Sequence, residues 1–129
     1  MLLDTSGWLC YFDASDFRNA AAVEFYHATP SKLTHAYILA EYVALAHVRG
    51  MPRQATLQFV AHILDNPVVE MIWVTEECYR NALAPLQARA DKTYSFCDAI
   101  SFVLMKERGI TTALTTDRHF EQEGFRKLL

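Results

Sequence analysis

The sequence predicts an α/β fold in which a central, mostly parallel sheet carries helices on both faces. Short apolar runs of strand character alternate with longer segments of helical periodicity, and that alternation is the pattern that builds parallel sheets. The size agrees: 129 residues, 52% hydrophobic and 21% charged, fit one domain over residues 1–129 that can bury enough apolar surface to offset the entropy of ordering the chain.

The elements follow in order. Met1-Leu2-Leu3-Asp4-Thr5 is apolar and then abruptly polar, a short buried strand ending near Asp4. From Ser15 to about Ala28, the residues Phe17, Ala20, Ala21, Phe25 and Ala28 recur at helical spacing, and Pro30 stops the helix. Lys32-Leu33-Thr34 reads as a short strand. Tyr37, Ile38, Leu45 and Val48 then mark one helical stripe ending at Gly50, and Pro52 suits the first turn of a helix running to about Leu64. Pro67 to Val74 is rich in Val, Ile and Trp and reads as a strand, whereas Glu76 to about Ala90 is a helix broken or bent by Pro85. Ser95 to Arg108 is a strongly apolar helix closed by Gly109. Thr112 to Thr116 and Phe125 to Leu129 supply the last two strands.

Composition excludes several classes. The N-terminus has no basic stretch and no apolar run long enough for a signal peptide or membrane span, so a cytoplasmic protein is expected. Cys10, Cys78 and Cys97 are odd in number and lack C-x-x-C spacing; they read as buried hydrophobes in a reducing compartment. The five histidines show neither H-x-x-x-H nor H-E-x-x-H spacing, which disfavours a zinc enzyme. Asp4 is followed by Thr5-Ser6, so the adjacent acids of a receiver domain and the Asp-x-Asp of a haloacid-dehalogenase phosphatase are both missing. A net charge of −3 denies the chain a broad basic surface, so any grip on RNA is local and depends on scattered Arg and Lys residues plus bound cations.

Open α/β sheets bind ligands at the carboxyl ends of their strands, where strand order reverses. Asp4 and Asp117 each follow a strand, so both project from that edge, although an Asp after a strand most often simply caps the next helix or turn and neither is diagnostic alone. Glu41 lies three, four and seven residues from Ile38, Tyr37 and Leu45, and Val48 on the apolar stripe. A buried unpaired carboxylate costs several kcal/mol, so a charged partner is implied. Asp98 lies three residues after Ser95, as in a capping box, at the mouth of a helix apolar nearly all round. Four carboxylates converging on one site repel one another and take up protons unless cations stand between them. Oxygen-only ligation suits Mg²⁺ or Mn²⁺, which can activate a water for phosphodiester hydrolysis. Thr5, Ser6, Thr115 and Thr116 are placed to hydrogen-bond the carboxylates.

Leu3-Asp4-Thr5-Ser6, Ala40-Glu41-Tyr42, Tyr94-Ser95-Phe96-Cys97-Asp98-Ala99-Ile100-Ser101 and Thr115-Thr116-Asp117-Arg118-His119-Phe120 resemble, in order, spacing and chain length, the successive motifs of PIN domains. The resemblance implies a Rossmann-like α/β/α sandwich and a Mg²⁺- or Mn²⁺-dependent ribonuclease whose catalytic, metal-holding acids are Asp4, Glu41, Asp98 and Asp117. Small single-domain members look like VapC toxins of type II toxin-antitoxin pairs, which implies an RNA substrate, a homodimer and a cognate antitoxin. The alternative is a catalytically silent PIN-like module that binds RNA or protein. Cys97 stands where the motif favours Thr or another small residue, a departure that leaves the acids untouched.

Overall fold

The computed structural model describes residues 1–88, 91 and 93–129. Its elements, in chain order, are β1 (Leu2–Leu3), α1 (Thr5–Phe12), α2 (Asn19–Ala28), β2 (Lys32–His35), α3 (Ala36–Val48), α4 (Arg53–Leu64), β3 (Val69–Ile72), α5 (Glu76–Ala88), α6 (Phe96–Glu107), β4 (Thr112–Leu114), α7 (His119–Gln122) and β5 (Arg126–Lys127). The strands form one sheet in the order β3-β2-β1-β4-β5, and every pairing is parallel. The expected α/β fold is therefore what the chain adopts.

The topology explains where a site can form. From β1 the chain winds outward through β2 to β3, then returns to β4 on the other side of β1. The reversal opens a crevice at the carboxyl ends of β1 and β4, because the connections on either side leave in opposite directions. β1 is hydrogen-bonded on both sides, to β2 and β4, and Leu2 and Leu3 are fully buried. A strand covered on both faces tolerates no alternation, hence the unbroken apolar run.

Helix α1 is held close against this sheet. A Cβ on Gly7 would lie 2.0 Å from the Leu114 carbonyl oxygen, so only glycine permits α1 to approach the end of β4. Next to it, the buried Trp8 donates its indole N–H to Thr34 Oγ1 at 3.3 Å, and that hydroxyl donates to Leu3 O at 3.0 Å. One indole thus ties α1 to β2 and β1.

Several boundaries differ from the sequence expectation. The stretch Thr5–Phe12, left unassigned by periodicity, is a helix in which Thr5, Gly7, Trp8, Leu9 and Cys10 are all buried; burial on every side leaves no amphipathic stripe to read. α2 starts at Asn19 rather than Ser15, because the Asp13 carboxylate accepts from Ser15 N–H and Asp16 accepts from Arg18 N–H, closing turns before it. Phe17 stands outside the helix at 83% exposure. β3 is only Val69–Ile72, and Trp73 beyond it is 69% exposed, while Tyr26 and Phe59 are in the core. β4 and β5 are likewise shorter than expected. The end of α5, expected near Ala90, lies outside the described residues.

The largest correction is the face of α3. The core takes Ile38, Leu39, Tyr42 and Ala46, whereas Tyr37, Leu45 and Val48 are exposed, Val48 by 80%. Ala36–Val48 is apolar on almost every side, so it offers two stripes, and packing against α1 and α4 selects the one carrying Tyr42. Tyr42 meets Phe12 and Phe59 edge-on or tilted. Its buried hydroxyl has no hydrogen-bond partner among the described residues, and burial pushes its pKa up to about 12. Among the described residues, no helix is long and apolar enough to cross a membrane.

Two substitutions test this packing. Gly7→Ala should lower stability by about 1–3 kcal/mol or more, since the clashing atom is backbone and cannot swing away. Tyr42→Phe, which removes only the unpartnered hydroxyl, should hold or raise stability by about 1 kcal/mol. Urea denaturation midpoints of the two variants against the parent read both effects.

Candidate active site

Asp4 follows β1 and caps α1, and it is buried. Its Oδ2 accepts from Ser6 N–H at 3.3 Å, from Ser6 Oγ at 2.9 Å and from Thr115 Oγ1 at 2.8 Å. Burial raises its pKa and these hydrogen bonds pull it back down. Thr115 Oγ1 also accepts from Asp117 N–H at 3.0 Å, and Thr116 N–H donates to Ser6 Oγ at 2.9 Å. The carboxyl ends of β1 and β4 are thus stitched together by two hydroxyls. Thr116 joins through its backbone.

Glu41 comes from the middle of α3, on the half-exposed side rather than the buried stripe. The charged partner expected for it is absent among the described residues; the Thr5 hydroxyl donates to its Oε2 instead. Because Glu41 is only half-buried, it avoids the full desolvation cost of an unpaired carboxylate. Beside it lies the buried Cys97, whose pKa is raised by burial and then by the charges of Glu41, Asp4 and Asp98.

Asp98 serves two roles at once. It closes a capping box with Ser95, accepting the Ser95 N–H at 2.7 Å and donating its own N–H to Ser95 Oγ at 3.1 Å. The same carboxyl lines the cleft. Its pKa is raised to about 6, by burial first, with the Asp4 and Asp117 charges adding to it and the Ser95 hydrogen bonds opposing. One carboxyl thus both caps α6 and faces the cleft.

Asp117 follows the end of β4 and accepts from His119 N–H at 2.9 Å. The His119 ring lies against the same carboxylate, Nδ1 to Oδ1 at 3.1 Å, and its Nε2 is 3.2 Å from Thr93 Oγ1. His119 is not among the expected site residues, although its two-residue step from Asp117 and its place in the fourth motif are the signals that could have put it there.

All four acids face one cleft of about 300 Å³, together with Thr5, Ser6, Leu45, Thr93, Ser95 and His119. One ligand atom each from Asp98, Asp117 and His119 lies within 4.8 Å of the other two. None of the four acids pairs with a lysine or arginine among the described residues. Beneath the cleft, the fully buried His35 caps α3, its Nδ1 accepting from Ile38 N–H at 3.3 Å, while its Nε2 lies 2.9 Å from Ser101 Oγ on α6. Since Nδ1 accepts, the proton is on Nε2 and points to Ser101. Burial lowers the His35 pKa to about 3, so the ring is neutral and locks the helix of Glu41 to the helix of Asp98.

The chain is similar to known proteins over nearly its whole length. The PIN domain profile matches residues 1–125. The 23S rRNA-specific endonuclease VapC20 of Mycobacterium tuberculosis, strains CDC 1551 / Oshkosh and ATCC 25618 / H37Rv, is 31% identical over 126 residues, covering 97% of this chain and 95% of the relative. The crystal structure of M. tuberculosis VapC20, described as a sarcin-ricin loop cleaving toxin, superposes with a TM-score of 0.88 at 30% identity, covering 96% of this chain and 95% of that one.

The raised Asp98 pKa sets a testable pH dependence for the metal-free protein. A carboxyl whose folded pKa exceeds its unfolded value stabilises the fold below the unfolded value of 3.8, and that contribution is lost as pH rises through about 6. Asp98→Asn keeps the cap and removes the charge. In chelator at pH 7 it should therefore be more stable than the parent by roughly 1–3 kcal/mol, with the difference shrinking toward pH 4. His35 works in the opposite direction, losing stability as pH falls from 6.5 toward about 3, but it is common to both proteins and cancels. Paired melting curves across this range read the difference; a variant less stable at pH 7 would contradict the repulsion.

Proposed function

This chain belongs to the PIN-domain family, and from that premise we propose that it is a divalent-metal-dependent endoribonuclease in which Asp4, Glu41, Asp98 and Asp117 hold the ion. The observation that carries the reading is the convergence of four acids from four separate places in the fold on one cleft, with Asp98 driven up to about 6 by burial and its acidic neighbours. A cluster so short of protein cations is chemically matched to a bound cation. Oxygen donors dominate it, which suits Mg²⁺ or Mn²⁺, and a neighbouring imidazole is compatible with Mn²⁺.

The chain's residues do the positioning. Asp4 is pinned by three donors and Glu41 is aimed by Thr5. Asp98 is anchored by Ser95, and His119 together with Thr93 orients Asp117. When bound, the ion supplies charge neutralisation for the phosphodiester and acidifies a water that can attack it. Without it, the acids would repel the phosphate they are meant to receive.

The relative's name, a 23S rRNA-specific endonuclease, makes structured ribosomal RNA the first substrate to test. By the same resemblance we infer a cytoplasmic toxin of a type II pair, restrained by an antitoxin and assembled as a homodimer. The exposed apolar side chains Val48, Trp73 and Leu83 support association with protein partners.

The purified protein should cleave RNA in Mg²⁺ or Mn²⁺ and lose that activity in EDTA; undiminished cleavage in excess chelator would sink the metal mechanism. Asp98→Asn should reduce the rate by orders of magnitude while leaving the fold intact. Light scattering that gives only monomer at micromolar concentration would remove the homodimer.

A further inference from the structure

At the amino-terminal edge of the sheet, opposite the acid cleft, a second cavity of about 490 Å³ opens beside the last turns of α1, α2 and α4. Tyr11, Tyr26, His27, Lys32, His62 and Asn66 line it, and no carboxylate does. Lys32 is the first residue of β2, a strand paired on both sides, and it is only 8% exposed. Lysines are almost never buried so deeply without a counter-charge. Yet Lys32 forms no ion pair among the described residues, and Glu70 on the neighbouring β3 is taken by Arg108 at 3.0 Å. The ammonium donates to the Thr29 carbonyl and lies 4.8 Å from the centre of the Tyr26 ring. That carbonyl belongs to the C-cap of α2. A helix end carries about half a charge, so the positive charge of Lys32 is only partly answered.

We propose that this cavity binds the phosphate group of a small ligand, with Lys32 as the counter-charge. The site lies away from the acid cleft and does not depend on the ribonuclease reading. The Tyr26 hydroxyl accepts from Asn66 Nδ2 at 3.1 Å, which leaves its own O–H to donate. Tyr11 adds a second hydroxyl, its ring 4.6 Å from that of Tyr26, and His27 and His62 each carry a ring N–H. The donors thus come from α1, α2, β2 and α4. They outnumber what the two oxygens of a carboxylate can use, and they suit the three terminal oxygens of a phosphate monoester. An oxyanion seated there turns a buried, unpaired ammonium into a charge-assisted pair. The cavity is larger than phosphate alone requires and has the size of a small-molecule pocket, and the two tyrosine rings give the rest of the ligand an apolar wall.

The test titrates isotope-labelled, metal-free protein with inorganic phosphate, adenosine monophosphate, adenosine and acetate at constant ionic strength, following backbone amides by NMR. Without metal the acid cleft repels each added anion, so it does not compete. Both phosphate ligands should give saturable shifts at the amides of Thr29, Lys32 and Asn66, and adenosine and acetate should not. Lys32→Met, which keeps the side-chain length and removes the charge, should weaken both by about tenfold or more. Tyr11→Phe/His62→Ala leaves Lys32 and its hydrogen bond in place and should weaken them about threefold; this pair decides the matter if Lys32→Met fails to fold. Tighter binding of adenosine monophosphate than of inorganic phosphate assigns the site to an organic phosphate, and equal binding assigns it to the free ion. Melting curves separate binding from a purely structural lysine. A binding site makes the gap between parent and Lys32→Met wider in phosphate than in chloride, whereas a lysine that only closes the end of α2 gives the same gap in both. That second result overturns the proposal. So do an absence of saturation by either phosphate ligand, acetate binding as tight as phosphate, shifts centred elsewhere, or undiminished affinity in the variants.

Discussion

The crowding of like charge at the carboxyl ends of β1 and β4 is the constraint to which the surrounding structure answers. Burial disfavours the ionised forms of Asp4 and Asp98, and at Asp98 the charges of Asp4 and Asp117 add to that penalty. A fold that gathered such groups without holding them would relax by splaying the acids apart. What prevents this is a set of short-range attachments: Ser6 and Thr115 on Asp4, Ser95 on Asp98, Thr5 on Glu41 and the His119 ring on Asp117. Each attachment is local, and each fixes an acid that the electrostatics would otherwise push outward.

The deeper layers serve the same end. Gly7 lets α1 approach β4 closely enough for Ser6 to reach Thr115, and Trp8 ties α1 to the two central strands. His35 and Ser101 do the corresponding work for α3 and α6, with a neutral ring whose proton direction is set by the N–H it accepts. The core is therefore a frame for the cleft as well as a source of stability. Tyr42 shows the opposite case, a polar group that the packing buries and leaves unpartnered.

Much of this is written in the sequence, unevenly. The alternation of strand and helix, and the placing of Asp4 and Asp117 just past apolar runs, are local signals and survive folding intact. Ser95-Phe96-Cys97-Asp98 is legible as a cap for the same reason, and a cap at the sheet's carboxyl edge cannot avoid facing the crevice. The face of α3 is not legible, because an almost wholly apolar helix carries no periodicity to decide between Tyr37-Leu45-Val48 and Ile38-Tyr42-Ala46; tertiary packing decides. The same absence of contrast hides α1. His119 lies within the fourth motif but is missed by a search for zinc-type histidine spacing, since its ring sits against a carboxylate with no second histidine nearby.

The setting of Cys97 has a consequence for its reactivity. A thiol meets oxidants and electrophiles as its thiolate, the form that burial and nearby negative charge disfavour. Burial first, and then the charges of Glu41, Asp4 and Asp98, raise the Cys97 pKa. In the metal-free protein its sulfur therefore keeps its proton, and a cysteine next to the acids is chemically quiet.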